Sequence, residues 1–205
     1  MKTIPLLLLL AVALSLCNLT NKLKGVSSSG GANSNSSATG SDAETPQPTA
    51  AQIAALVGGQ NVSWDKQGMS WNLPPGWRET TNETKNFGWS APGNGAHLIV
   101  SISPMDESFP TESSINAFYD GAKTRAKNGE VDELKWVEID GLKGVQFRES
   151  NPEHADDARR LQWLAYRKYA GQVQFVNVMV ASSGAEFPKH QDAMYGILYS
   201  TKIAH

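Results

Sequence analysis

Cysteine is nearly missing from this chain: among 205 residues only Cys17 carries a thiol. A domain built downstream of it has no disulfide to stabilise it and must rest on core packing alone. Long hydrophobic runs are missing too. The one apolar stretch, Leu6 to Leu14, is shorter than the roughly 20 residues that cross a bilayer comfortably. Nor is there an excess of charge, since 18 bases stand against 20 acids. Setting aside residues 1–48 removes Lys2, Lys22, Lys24, Asp42 and Glu44, leaving 15 bases and 18 acids, a net charge of −3. So neutral a body lacks the basic footprint that a phosphate backbone requires, which argues against nucleic acid as a partner.

Nucleophile and nucleotide motifs are also lacking. The chain contains no G-x-S-x-G elbow, no P-loop and no dinucleotide fingerprint; Gly93-Asn94-Gly95 and Ser183-Gly184 read as turns. The densest set of potential metal ligands is Glu153-His154-Ala155-Asp156-Asp157. It has no recognisable ligand spacing, and the adjacent Arg159-Arg160 is expected to neutralise it as an ion-paired loop. His97, His190 and His205 read as surface residues. No catalytic residue, metal or cofactor is expected.

What is present starts at the N-terminus. Met1-Lys2 and the leucine run have the charged start and apolar middle of a signal peptide, so residues 1–17 are read as a leader. Leu14-Ser15-Leu16-Cys17 is lipobox-like at Leu14 and Ser15, although Leu16 stands where Gly, Ala or Ser is preferred. A cysteine kept only at this junction makes Cys17 the expected lipidation site. The alternative is ordinary cleavage after Ser15, because Ala13-Leu14-Ser15 also fits a small-x-small rule and would give a freely secreted domain. A eukaryotic secreted origin is a further alternative, since Asn18, Asn35, Asn61 and Asn82 each open a glycosylation sequon.

Residues 18–48 are rich in Ser, Gly and Asn and too poor in apolar groups to offset the entropy of ordering. They are expected to form a disordered tether with a reach of roughly 30 Å, a spacer without a recognition role. Residues 49–205 are read as a single domain. Thr49 caps a short helix over residues 50–57. Strands follow at Met69–Leu73, at Phe87–Trp89, and where Leu98, Val100 and Ile102 line one face. Ile115, Phe118, Tyr119, Ala122 and Ala126 recur at helical spacing up to Asn128-Gly129. Asp140-Gly141 and Ala170-Gly171 each mark a hairpin between apolar segments. A last helix starts near Pro188, with Met194, Ile197, Leu198 and Thr201 facing inward. The fold expected is α+β: an antiparallel sheet of about six strands with helices packed on it. Trp136, Val145, Phe147, Trp163, Phe175 and Leu198 are expected in one shared core. Of the six tryptophans, Trp64 and Trp77 have polar and turn neighbours and are expected to be the most exposed. An exposed aromatic groove for a peptide, glycan or lipid is the functional alternative to tryptophans that simply fill the core.

Three segments resemble the family that groups the photosystem protein PsbP, the yeast Ran-binding Mog protein and the bacterial DcrB-type lipoproteins. They are Met69-Ser70-Trp71-Asn72-Leu73-Pro74-Pro75-Gly76-Trp77, Ile139-Asp140-Gly141-Leu142-Lys143-Gly144-Val145, and Ile197-Leu198-Tyr199-Ser200-Thr201-Lys202-Ile203. The resemblance covers roughly residues 60–205 and implies a PsbP-like α/β/α sandwich that binds partners rather than catalysing. No partner-binding residue of the family maps onto this chain. With the leader and the tether, it points to a non-enzymatic, lipid-anchored bacterial envelope protein with its domain in the periplasm or at the cell surface. An unidentified protein partner or an assembly role is expected. The alternatives are a small-ligand binder with a pocket between sheet and helices, and an enzyme whose site the sequence does not reveal.

Overall fold

The computed structural model describes residues 43–204, so Cys17, the tether up to residue 42 and His205 lie outside the described chain. Among the described residues three α-helices are present: α1 (Ala50–Ala55), α2 (Thr111–Lys127) and α3 (Phe187–Tyr199). Strands β1 (Gln60–Trp64), β2 (Met69–Leu73) and β10 (Lys202–Ile203) form a small sheet in the order β1-β2-β10. The main sheet contains β3 (Arg78–Asn82), β4 (Asn86–Ser90), β5 (Ala96–Met105), β6 (Val131–Ile139), β7 (Leu142–Glu149), β8 (Ala158–Tyr169) and β9 (Gln172–Ser183). Its seven strands run in the order β3-β4-β5-β9-β8-β7-β6, antiparallel throughout. The expected α+β sandwich is therefore correct, but seven strands replace six and a second sheet is added. β1 and β3 carry almost no apolar alternation, which hides them in the sequence.

Local chemistry explains the turns. Asp140 (φ 49°) and Gly141 (φ 80°) both adopt the left-handed conformation that joins β6 to β7 with the twist of the strands. Ala170 (φ 50°) and Gly171 (φ 76°) do the same between β8 and β9. Helix α1 carries a full capping box: Thr49 Oγ1 accepts from Gln52 N–H, and the Gln52 side chain accepts from Thr49 N–H. It ends at Ala55, two residues before the expected end.

Side chains alternate across the strands, so the main sheet has two packed faces rather than one. Leu161, Trp163 and Ala165 of β8 join Val176 and Val178 of β9 against Met194, Ile197 and Leu198 of α3. The small sheet closes this face, with Phe87 stacked on both Trp64 and Trp71 at 5.5 and 5.3 Å between ring centres. On the opposite face, Val145, Phe147 and Leu164 pack beneath α2 with Ala122, and Trp136 and Phe175 are half-buried there. The single shared core expected from sequence is thus divided. Val145 and Trp136 are register partners and share the α2 face, whereas Gln146 partners Trp163 and points the other way.

The expectation for the tryptophans is also reversed. Trp64 is fully buried and Trp77 is buried, while Trp136 and Trp89 are only partly covered. Trp64 tolerates burial because its indole N–H donates to the Glu83 carbonyl at 2.7 Å, which satisfies its one polar atom. Thr201, expected on the last helix, lies just beyond it but is buried, its hydroxyl donating to the Leu198 carbonyl at 2.6 Å.

Candidate functional site

β6 is one edge of the main sheet, and the chain places its own backbone on that edge. Glu44 N–H donates to the Trp136 carbonyl at 3.0 Å, and Glu138 N–H donates to the Glu44 carbonyl at 2.9 Å. The result is a one-residue parallel bridge to Val137. Within the stretch read as spacer up to residue 48, Glu44 is thus paired with the sheet edge. Parallel pairing would next need an N–H from residue 46, and Pro46 has none. The pairing stops there for want of a donor.

The Glu44 carboxylate lies 3.4 Å from Lys135 Nζ. Lys135 covers a polar cluster where β6 and β7 meet α3. Tyr195 donates its hydroxyl hydrogen to Glu133 Oε2 at 2.6 Å, and Gln146 Nε2 donates to Glu133 Oε1 at 2.6 Å. Arg148 Nη1 donates to the Tyr195 hydroxyl at 3.1 Å while its Nε reaches Asp132 at 2.7 Å. Burial, then the Glu133 carboxylate, pushes the Tyr195 phenol far above its ordinary range. For Lys135, burial favours the neutral amine, but Tyr199, Glu133 and Glu44 outweigh it and the pKa is raised. Both carboxylate oxygens of Glu133 are thus engaged, one by Tyr195 and the other by Gln146. Lys135 Nζ lies between two carboxylates, 3.4 Å from Glu44 and 3.7 Å from Glu133.

The residues singled out in the sequence do not converge. Glu153, His154, Asp156 and Asp157 lie in an exposed loop. The two arginines expected to neutralise it turn elsewhere. Arg159 binds Asp132 at 2.5 Å and the Glu149 carbonyl at 2.8 Å, and stacks over Phe187 at 4.3 Å. Arg160 pairs with Glu149 at 3.0 Å. His97 lies in β5, and His190 Nε2 is 4.0 Å from Glu186. Among the described residues, no group of three or more His, Cys, Asp or Glu side chains is placed to hold a metal ion. Cys17, the expected lipidation site, lies outside the described residues.

Two further surfaces stand open. Helix α2 packs over β6, β7 and β8 and reaches β9 at Phe175, leaving the β5 end of this sheet face less covered. Beyond it, Ile99 of β5 pairs with Met179 of β9, and Ser101 pairs with Asn177, on the same side of the sheet. Ile99 is 42% exposed, and Phe118 of α2, stacked on Phe175 at 5.1 Å, is 40% exposed. The second surface is a groove of about 470 Å³ beside α1, lined by Pro48, Ile53, Leu56, Val57, Asn72 and Ser200 among others. It lies outside the main sheet–helix interface, which is filled by side chains such as Trp163, Val178 and Leu198. Nothing in the sequence marked Glu44 or Lys135, because each acquires a role only through pairing between distant segments.

No protein-family model matches the sequence, and no curated protein matches it. Solved structures do resemble it. LpqN of Mycobacterium tuberculosis, described as involved in cell envelope biogenesis, superposes with a TM-score of 0.50 at 14% identity, over 72% of this chain and 86% of LpqN. The cyanobacterial PsbP protein CyanoP of Synechocystis sp. PCC 6803 gives 0.46 at 12% identity, over 71% of this chain and 92% of that one. A Bacteroides thetaiotaomicron protein gives 0.43 at 12% identity; 67% of this chain is covered, but under half (46%) of that protein. The α+β sandwich expected is the fold observed, and LpqN shares it. At these identities the likeness is one of fold alone.

Proposed function

We propose that this protein is a non-enzymatic envelope lipoprotein, tethered through Cys17, whose domain binds a protein partner or supports envelope assembly. The observation that carries the reading is the half-covered α2 face of the main sheet. A sheet face with Ile99 and Phe118 in water is the kind of surface that protein partners cover. The role described for LpqN, which shares the fold, supports an envelope setting. Among the described residues no helix is long and apolar enough to cross a membrane, so attachment in this reading falls to the N-terminal segment.

Two measurements test the proposal. A photo-crosslinking residue at position 99, expressed in the native envelope, should capture a discrete partner that Phe118→Asp abolishes. Crosslinks that are absent, or indifferent to that change, would reject the open face as the binding surface. For the tether, wild-type protein should enter the detergent phase and Cys17→Ser should not. A mature N-terminus at Leu16 in the aqueous phase would replace the lipoprotein with a freely secreted domain.

A further inference from the structure

We infer that the outer edge of β6 is a strand-addition site for an extended acidic segment of a partner protein, with residues 43–48 as its intramolecular placeholder. An edge strand is a template for extended backbone, and here the chain shows the template in use. Glu44 supplies one donor and one acceptor to β6 and sets its carboxylate 3.4 Å from Lys135. The orientation is therefore parallel to β6, and the preferred side chain at the bridging position is an acid.

The placeholder is built to hold weakly. β6 is nine residues long, yet among the described residues Glu44 alone pairs with its outer edge. Pro46 offers no N–H to the Glu138 carbonyl, so the pairing cannot lengthen toward Ile139. The Glu44 side of the Glu44–Lys135 ion pair is largely in water, its side chain 57% exposed, and a pair with one partner so exposed contributes little. What favours the placeholder is its connection to the domain, which gives it an effective concentration on the order of millimolar. A partner segment with the same acid but no proline two residues later would gain a backbone hydrogen bond that the placeholder cannot make. It could displace the placeholder on that ground.

The inference deepens the partner-binding proposal and rests on it, but the two can fail separately. The test uses the purified full chain with Glu44→Pro, which removes both the N–H to Trp136 and the carboxylate to Lys135. The probe is a fluorescent peptide with the sequence of residues 40–48, in which the residues corresponding to Pro46 and Pro48 are alanine. It should bind the variant about tenfold or more tighter than wild type, since the tethered competitor is gone. Reverting those alanines to proline, or adding Lys135→Ala, should weaken binding several-fold. Glu138→Pro, which deletes an outward-facing donor on an edge strand, should abolish it. If Glu44→Pro folds poorly, Glu44→Lys, which keeps both backbone hydrogen bonds but sets a like charge against Lys135, should shift binding in the same direction by a smaller factor. A probe that binds wild type and variant equally, or that ignores Glu138→Pro, overturns the strand site and leaves crosslinking at position 99 unaffected. Failed crosslinking with intact peptide binding removes the open-face reading instead.

Discussion

Tyr195 of α3 and Glu133 of β6, 62 residues apart in sequence, meet in a 2.6 Å hydrogen bond that joins the last helix to the sheet edge. The bond forms only while the phenol keeps its proton. Burial and Glu133 together raise the Tyr195 pKa above its ordinary value of 10.0. The folded protein therefore holds a proton that the unfolded chain gives up as pH rises past that value. The stabilisation is complete below pH 10.0 and is lost progressively above it, toward the raised folded pKa. Tyr195→Phe should cost about 1–3 kcal/mol at neutral pH, because a charged acceptor loses its donor. It should also flatten the alkaline fall in stability. Urea titrations across the pH range will show both effects, and an alkaline limb unchanged by Tyr195→Phe would assign it to other groups.

Arg167 is buried, and among the described residues it has no carboxylate partner. Its Nη2 donates to the carbonyl and the side-chain oxygen of Gln67 at 2.8 and 3.1 Å, and its Nε donates to Gln174 at 3.0 Å. Burial lowers its pKa. Gln67→Ala removes one of these acceptors and also the donor to the Thr84 carbonyl at 2.7 Å. The expected loss is about 2–3 kcal/mol in chemical denaturation, more than an ordinary glutamine truncation on a turn. A loss below half a unit would mean that water replaces the amide.

The two glycines of the β6–β7 hairpin serve different purposes. Gly141 holds a positive φ of 80°. A Cβ at Gly144 would lie 2.5 Å from Trp163 Nε1 and closer still to the Leu164 carbonyl oxygen. Gly141→Ala should cost about 1 kcal/mol, the penalty of a left-handed residue with a side chain. Gly144→Ala must displace an indole in the core or a neighbouring strand, and should cost about 3 kcal/mol or somewhat more. Thermal melts of the two variants will rank them, and the reverse order would mean that the Trp163 indole repacks freely.

Leu198 and Phe175 sit on opposite faces of the main sheet, in different clusters. Leu198→Ala should cost about 2–5 kcal/mol, and Phe175→Ala somewhat less because its ring is only half-buried. The sheet separates the two cavities, so the double variant should equal the sum within about 0.5 kcal/mol. A larger coupling would mean that the two packed faces respond as one.

The legible parts of this fold are those written in neighbouring residues. Asp140-Gly141 and Ala170-Gly171 announced their hairpins because positive φ is a local demand. Leu98, Val100 and Ile102 announced β5 by alternation. Trp64 was misjudged because what buries it lies elsewhere in the chain: Phe87 stacks on it and the Glu83 carbonyl satisfies it. The shared core was misjudged for a related reason. Whether Val145 and Trp163 face the same layer depends on register between strands, and the β7–β8 pairing offsets them by one residue. The site at β6 was least legible of all. Glu44 lies in a stretch whose composition predicts no contact, and its bridge depends on Trp136 and Glu138, more than 90 residues downstream.

A leash pulls from the point where it leaves the body. With Glu44 fastened to β6, a force transmitted from the N-terminal side acts first on the rim of the main sheet and reaches α1 only after the bridge has opened. Residues 45–49, which lead from the bridge to α1, come under load only once its two hydrogen bonds have opened, and that opening bares the rim of β6.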